Sequence, residues 1–371
     1  MAGSQLTGRR LESLDVFRGF DMLWIMGGEG LICCVAALCG FPAFGKSFGH
    51  VSWEGLQFMD TVFPTFLFLA GASFPFSCAN SLARGLTRGQ VARRALRRGV
   101  TLMVLGVVYW GFLQRLDFAT FRIPSVLGYI GFGWMVAAWI YLYVKSVKAR
   151  IGIAVGILAA VSLVFGLIPA PDAAADAVKF SPEWHLGCWL DRTILGAHTL
   201  NPKFDNEGFG GIFCTVVTAM LGMFAGEIVR RGGVVATGRK ALQLAGCAAV
   251  CVVSGLLLSA FYPIVKNLWS PSFVLVVGGY SFAMFAVFYW IVDVKGHSKW
   301  SFFFKVIGMN SITIYFARRL IGFRTAAEFF LGGFAGLLPE LWGRLVMTLG
   351  YVAACWLFLL FLYRKKVFLR I

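Results

Sequence analysis

Three titratable side chains stand near the first two long apolar runs of the sequence. His50 precedes Asp60 by ten residues within "GHVSWEGLQFMD", and Glu29 lies inside the preceding apolar run. An imidazole can take up and release a proton at neutral pH, and carboxylates within apolar runs usually face a cavity or a partner. We therefore interpret His50, Glu29 and Asp60 as the catalytic lining of one site. The alternative is an ordinary loop histidine beside two structural carboxylates.

The composition shows which elements must position these residues. Of the 371 residues, 59% are hydrophobic and 14% are charged, and the mean hydropathy is +0.78. Soluble domains carry about 25% charged residues. The apolar residues come in runs of about twenty, the length that crosses a bilayer. The sequence predicts an all-α, polytopic membrane helix bundle that forms a single domain over residues 1–371.

The apolar runs and the charges between them define a topology. Basic segments such as "RGLTRGQVARRALRRG", "KSVKAR" and "RRGGVVATGRK" follow the even-numbered spans. The positive-inside rule therefore predicts that both termini are cytoplasmic, in the cell (inner) membrane. The polar N-terminus is interpreted as a mature cytoplasmic end, and 321–341 as a possible re-entrant or interfacial helix. Ten spans are predicted, at roughly 16–39, 56–80, 99–115, 123–144, 151–169, 211–229, 241–262, 272–292, 302–320 and 342–362.

Charge and cysteine content limit the partners. The net charge of +17 comes mostly from short loops between spans, which argues against nucleic-acid binding. The nine cysteines lie mostly inside apolar runs and form no CxxC pair, so we expect neither disulfides nor a bound metal.

The topology leaves the long segment 170–210 on the outer side. This segment is rich in Trp, His, Asp and Asn, which are residue types that a sugar-facing surface uses. The alternative is an interfacial lid that only closes the bundle. The candidate substrate-binding residues on this side are Trp53, Trp184, Asp191, Arg192, Asn206 and Glu207.

Further polar residues lie within the spans. Asp15 and Arg18 are three residues apart and can pair on one helical face. Glu29 lies roughly 16 Å farther along a straight helix. Asn310 and Ser311, in "GMNSITIY", are expected inside span nine, either as contacts between helices or as donors to a ligand.

Six motifs occur in one order along the chain: "RLESLDVFRGF", "HVSWEGLQFMDTVFPTFLFLAGAS", "RIPSVLGYIG", "DRTILG" with "DNEGFGG", "GMNSITIY" and "YRKKVFLRI". From about residue 10 to 371 the chain resembles the transmembrane acetyltransferase family of heparan-α-glucosaminide N-acetyltransferase, in its shorter bacterial form. The resemblance implies acetyl transfer from cytoplasmic acetyl-CoA to an amine or hydroxyl of an extracytoplasmic amino sugar or glycan. It is also consistent with a homodimer.

The resemblance assigns roles to several residues. The family's "H-x-x-W-x-G-L" histidine corresponds to His50, either as general base or as a covalent acetyl carrier. Where animal members have an asparagine in span one, this chain has Glu29, which is either protonated by burial or orients His50 or the acceptor. The residues expected to contact acetyl-CoA, along the pantetheine path or at the cytoplasmic rim, are Arg18, Asn310, Ser311, Arg97 and Arg98. Further candidates at the rim are Arg93, Arg94, Lys365 and Lys366. For the rim residues the alternative explanation is that their positive charge only sets the orientation of the spans.

Two other functions fit part of the pattern. A secondary transporter for a sugar or organic acid would also have ten spans, intramembrane carboxylates and an outward histidine, although no internal repeat is visible. The unrelated ten-helix O-acyltransferases share the "S-L-D-x-F-R-G" opening loosely, but not the order of the later motifs.

Overall fold

The computed structural model describes residues 11–232 and 236–368. The predicted cytoplasmic N-terminus at 1–10, part of the loop after span six and the end of the last motif lie outside these ranges. The described chain is helical and contains isolated β-bridges but no β-strand. Its main helices are α1 (Glu12–Leu23), α2 (Glu29–Leu38), α3 (Phe58–Ala83), α4 (Arg88–Tyr109), α5 (Val126–Tyr143), α6 (Val147–Leu167), α7 (Phe209–Arg230), α8 (Gly238–Ser259), α9 (Pro271–Phe288), α10 (Phe302–Met309), α11 (Ser311–Leu320), α12 (Phe323–Gly336) and α13 (Glu340–Arg364).

The predicted helical membrane fold is confirmed. Within the described ranges, eight segments are long and apolar enough to cross a membrane, and α1 and α2 together form the first of them. Predicted spans three and nine do not meet this criterion. They correspond to α4, whose first turns carry several arginines, and to the interrupted helices from α10 onward.

The centre of the bundle is formed by α3 and α7, the most deeply buried of these segments. They cross closely because glycines stand at the contact. A Cβ on Gly222 would overlap the carbonyl oxygen of Phe68, and one on Gly226 would overlap that of Ala72. Small residues let membrane helices approach in this way. This close packing fixes the position of α3 relative to α7, and with it the position of Asp60 near the start of α3.

Helix α4 begins eleven residues earlier than predicted span three. Thr87 starts it with a capping box, because its hydroxyl accepts the Gln90 N–H at 3.2 Å while the Gln90 side chain accepts the Thr87 N–H at 2.8 Å. The basic cluster from Arg93 to Arg98, which the span prediction places in a loop, therefore lies on the first turns of a helix.

The first span is not a straight helix. A π-helical segment, Trp24–Gly28, separates α1 from α2, and Gly27 within it has a φ of 112°, which favours glycine. The rise expected for a regular helix between Arg18 and Glu29 therefore does not apply. The predicted pair within α1 is confirmed, since Arg18 Nη1 lies 3.4 Å from Asp15 Oδ1.

Span nine, predicted as one helix over 302–320, has these outer bounds in the structure but is divided into two helices. Helix α10 ends at Met309, and Asn310 stands between α10 and α11 with φ −129° instead of inside a helix. Residues 321–322 separate α11 from α12. Helix α12 then packs closely against α13, because a Cβ on Gly343 would lie 2.6 Å from the Ala335 carbonyl oxygen. The segment 321–341 is thus mostly a helix paired with the last span.

Candidate functional site

Asp60 is the third residue of α3 and is fully buried. Its Oδ2 accepts the backbone N–H groups of Gln57, at 3.0 Å, and Val51, at 3.3 Å. A carboxylate in this position satisfies donors that the first turn of a helix leaves free and complements the helix dipole. The same contacts hold the loop before α3 against the helix start.

The other oxygen of Asp60 organises two further side chains. Asp60 Oδ1 lies 2.6 Å from His50 Nδ1 and 3.1 Å from Lys266 Nζ, and the last two atoms are 3.0 Å apart. We call His50, Asp60 and Lys266 the histidine site. The structure therefore brings together the predicted pair His50 and Asp60 and adds a lysine that sequence analysis missed.

The proton positions in the histidine site follow from its charges. With Lys266 beside it, Asp60 is a carboxylate that can only accept hydrogen bonds, so His50 Nδ1 carries the proton and donates it to Oδ1. With this proton in place, Lys266 Nζ lies beside His50 Nδ1 but does not form a hydrogen bond to it. This tautomer leaves the Nε2 lone pair free, on a side chain that is 51% exposed. The arrangement suits a general base.

The lysine reaches the histidine because two loops pair. The Gly55 N–H donates to the Ile264 carbonyl at 2.8 Å, and Glu54 forms a β-bridge with Val265. Trp53 lies on the same loop, where its Nε1–H donates to the Phe180 carbonyl at 2.9 Å. Predicted outer segments therefore meet at one end of the bundle, as the span alternation requires.

A second charged cluster lies at this end. Arg122 Nε donates to Asp205 Oδ2 at 3.0 Å, and its Nη2 contacts both Asp205 and Glu207. The guanidinium also stacks 4.2 Å above the Trp110 ring. Burial raises the pKa of Glu207, while the charges of Arg122 and Lys266 act in the opposite direction. Glu207 was predicted, whereas Arg122 was missed although it stands in the "RIPSVLGYIG" motif.

The other predicted residues of the long loop mainly hold it together. Asp191 is buried and accepts the N–H groups of Phe209, at 2.7 Å, and Asp205, at 3.3 Å. Burial raises the pKa of Asp191 to about 7, although these two hydrogen bonds lower it. Arg192 pairs with Asp172 at 2.8 Å and donates to two backbone carbonyls.

The aromatic and amide candidates are more accessible. Trp184 packs on Phe180 with ring centroids 5.5 Å apart, and Trp53 meets Phe204 edge-on at 5.0 Å. Asn206, which stands between Asp205 and Glu207 in the sequence, is half-buried. These residues lie at the same end of the bundle as His50, and among the described residues its side chain is hydrogen-bonded to none of them.

His185 has the opposite environment to His50. It is fully buried, its Nδ1 accepts the Gly187 N–H at 3.1 Å, and its Nε2 lies 2.8 Å from the Tyr262 hydroxyl. Burial lowers the pKa of His185 to about 3. Both ring nitrogens are therefore engaged on a neutral ring, and His185 has a structural role.

Glu29 begins α2, immediately after the π-helical segment. A Cβ on Gly49 would lie 3.9 Å from Glu29 Oε1 and 3.4 Å from Gln57 Oε1, so the carboxylate faces the loop that carries His50. It lies within 4.0 Å of no cation among the described residues. Glu29 is near the histidine site but is not hydrogen-bonded to it.

The predicted acetyl-CoA residues lie toward the other end of the bundle. Arg18 Nη2 donates to Ser73 Oγ at 2.8 Å. The Arg98 guanidinium lies 4.3 Å above the Trp134 ring, and its buried Nε has no hydrogen-bond partner among the described residues. Arg97 is exposed on α4.

Asn310 and Ser311 are both buried. The Asn310 side-chain amide donates to the Val367 carbonyl at 3.1 Å, which joins the start of α11 to the chain after α13. This contact agrees with the interpretation of Asn310 as a link between helices.

A narrow apolar cleft lies between the two ends. Its volume is about 20 Å³, close to the space of one water molecule. Met22, one turn beyond Arg18, and Phe63, one turn beyond Asp60, both line it, together with Ile25 and Tyr315. The cleft therefore lies between the neighbourhood of Arg18 and that of the histidine site.

Helices of membrane-spanning length, with a histidine, a carboxylate and a lysine gathered at one end, define a multi-pass membrane protein with a polar site. No family model matches the chain. It is similar to heparan-alpha-glucosaminide N-acetyltransferase from Homo sapiens, with 28% identity over 98% of this chain, and from Mus musculus, with 27% identity over the same share. The chain spans about 60% of the length of these relatives. The family resemblance predicted from the motifs is thereby confirmed.

Proposed function

We propose that the protein is a transmembrane acetyltransferase of ten spans with both termini in the cytoplasm. Acetyl-CoA supplies the activated acetyl group from the cytoplasmic side, and the acceptor is an amine or hydroxyl of an extracytoplasmic amino sugar or glycan. The observation that carries the proposal is the contact between half-exposed His50 and buried Asp60, at 2.6 Å. The similarity to two N-acetyltransferases over nearly the whole chain supports it.

In this mechanism His50 Nε2 takes the proton from the acceptor nitrogen or oxygen as that atom attacks the acetyl carbonyl. The Nδ1 proton stays on the ring, and the Asp60 carboxylate stabilises the imidazolium that forms. The carbon–sulfur bond then breaks, and the leaving thiolate takes up the proton. Lys266 keeps Asp60 ionised throughout, at 3.1 Å.

Glu29 has a positioning role in this proposal. Its carboxylate faces Gly49, next to His50, and so lies where it can orient the imidazole or accept a hydrogen bond from the acceptor amine. An ionised carboxylate would repel a developing oxyanion, which argues against a role as oxyanion donor.

The arginines on the predicted cytoplasmic side support the binding of acetyl-CoA there. Arg98 has a buried Nε with no hydrogen-bond partner among the described residues, and Arg18 lies one turn before Met22 of the apolar cleft. Arginines suit the phosphates of the nucleotide, and the apolar walls suit a pantetheine arm. At about 20 Å³ the cleft is too narrow for that arm, so its helices must part for transfer.

The proposal is tested with purified protein, acetyl-CoA and amino sugars. We expect release of free CoA that depends on the acceptor, and we expect His50→Ala to lower turnover by about 10²- to 10⁴-fold. His297→Ala is the matched control, because His297 is exposed in a loop outside the site.

Binding of radiolabelled acetyl-CoA separates this function from sugar transport. We expect saturable binding to the wild type and to His50→Ala alike. A protein that binds no acetyl-CoA would contradict the proposed function, and His50→Ala with full turnover would contradict the mechanism.

A further inference from the structure

A helix interruption with unusual charge lies away from the histidine site. Helix α11 ends at Leu320 and α12 begins at Phe323, and no side chain caps the first turn of α12. The two helices contain ten and fourteen residues, roughly 36 Å of helix, which is enough to cross a bilayer. The interruption falls near the middle of this length.

Residues of the neighbouring helices indicate how deep in the bundle the interruption lies. A cavity of about 430 Å³ opens at the interruption, and Gly27 and Tyr351 line it. Gly27 lies near the middle of the first span, Glu12–Leu38, and Tyr351 lies near the middle of α13. Both residues are therefore at middle positions of their spans, whereas Tyr109, which also lines the cavity, is the last residue of α4.

Three arginines line this cavity, and none of the described residues that line it is acidic. We call it the arginine cavity after Arg318, Arg319 and Arg324. Among the described residues none of the three forms an ion pair, and the buried Arg318 Nε has no hydrogen-bond partner. Within the described part of the chain, the only ring contact of these arginines is weak, with the Arg319 guanidinium 6.0 Å from the Tyr109 ring centroid.

An unpaired guanidinium that is buried in a membrane protein, as the Arg318 Nε is, is costly and usually marks a ligand or ion site, whereas Arg319 and Arg324 are exposed at the cavity. Arginine presents a planar set of donors that matches phosphate, sulfate and carboxylate. The start of α12 adds free backbone N–H groups and the positive end of its dipole, as half-helices do in transporters. Tyr109 and Tyr351 line the same wall.

We propose that the arginine cavity is an oxyanion-binding site, which takes the phosphate, sulfate or carboxylate group of a ligand. Its volume fits a small molecule or one charged group of a larger molecule. None of its residues belongs to the histidine site, although Ile25 lines both this cavity and the apolar cleft; anion binding here is measured without acetyl transfer, so the two proposals can fail separately. The anion comes either from a soluble molecule or from a phospholipid headgroup, and the chemistry of recognition is the same.

The test uses the purified full chain in neutral detergent with radiolabelled inorganic phosphate. We expect saturable binding and a phosphate-dependent rise in melting temperature. In Arg318→Gln and Arg324→Gln the affinity should fall about tenfold or more, the loss expected for one charge-assisted hydrogen bond. Arg344→Gln is the matched control, because Arg344 is exposed on α13 and pairs with Glu340.

The melting temperature without phosphate distinguishes loss of the site from loss of the fold. Removing an uncompensated charge should raise it in Arg318→Gln, whereas a misfolded variant would melt lower. A second arm compares nanodiscs of neutral lipid with nanodiscs containing phosphatidylglycerol. Weaker phosphate binding with the anionic lipid identifies a headgroup as the source, and unchanged binding identifies a soluble anion. Absence of saturable binding, or equal binding by wild type and both cavity variants, would overturn the proposal.

Discussion

Replacing Asp60 by asparagine is the sharpest test of the histidine site. In Asp60→Asn the new amide oxygen can still accept the two backbone N–H groups that Asp60 accepts, at 3.0 and 3.3 Å, so the start of α3 is preserved. The amide nitrogen then faces His50 Nδ1, where a 2.6 Å contact exists now. An NH₂ group can only donate, so the ring must carry its proton on Nε2 instead.

The wrong tautomer removes the base. With Nε2 protonated, the imidazole cannot take a proton from the acceptor, and no carboxylate remains to stabilise an imidazolium. We expect turnover to fall by about 10³- to 10⁴-fold, the range found when the orienting carboxylate of a catalytic histidine is replaced by its amide. The KM for acetyl-CoA should stay close to that of the wild type, since the nucleotide is proposed to bind at the opposite end.

The assay follows the thiol of released CoA with a thiol-reactive dye, at saturating acetyl-CoA and acceptor. Asp172→Asn is the matched control, because Asp172 is half-exposed and pairs with Arg192 on the same side of the bundle. We expect full activity in this control. If Asp60→Asn keeps more than about a tenth of wild-type turnover, tautomer control by Asp60 is refuted.

Three further predictions concern stability. Lys266→Met leaves the buried Asp60 carboxylate without its ammonium partner, and should lower the free energy of unfolding by about 3 kcal/mol in thermal or denaturant unfolding, with recovery in Lys266→Arg. Asp191, whose pKa burial raises to about 7, binds a proton in the folded state that the unfolded chain releases above pH ~4. The free energy of unfolding should therefore fall by up to about 4 kcal/mol as pH rises from ~4 to ~7, and Asp191→Asn should abolish this dependence in melting curves recorded across that range. Gly208→Ala would place a methyl group onto the Asp191 carboxylate and should lower the free energy of unfolding by about 1–3 kcal/mol. Gly246→Ala is the control, because a Cβ there meets no heavy atom within 4 Å, and it should be neutral or stabilising. Equal melting temperatures for the two variants would contradict this packing.

Local signals predicted the parts of the fold that depend on them. Runs of apolar residues located the membrane helices, and the short spacing between His50 and Asp60 at a helix start brought these side chains together. Lys266 is 216 residues from His50 in sequence, and Arg122 is 83 from Asp205. Such contacts depend on how loops from separate spans pack, which one sequence does not reveal.

The helix ends were harder to predict than the helices. The interruptions at Gly27 and at 321–322 lie in apolar stretches, where hydropathy continues through a break and glycine is tolerated. The early start of α4 was hidden because its arginines lower the apolar average. Its capping box at Thr87 and Gln90 was the local signal that could have located it.

Gly27 and the break after α11 border the same cavity, so two membrane helices lose their stiffness at one level. We expect faster amide hydrogen exchange at 24–28 and 321–323 than in the segments above and below, and uniform protection would count against this. Breaks at the same level allow the outer halves of the two helices to tilt outward while their inner halves stay in place. We expect such a bundle to open at its outer end while its inner end stays closed, so that the membrane remains impermeable to ions.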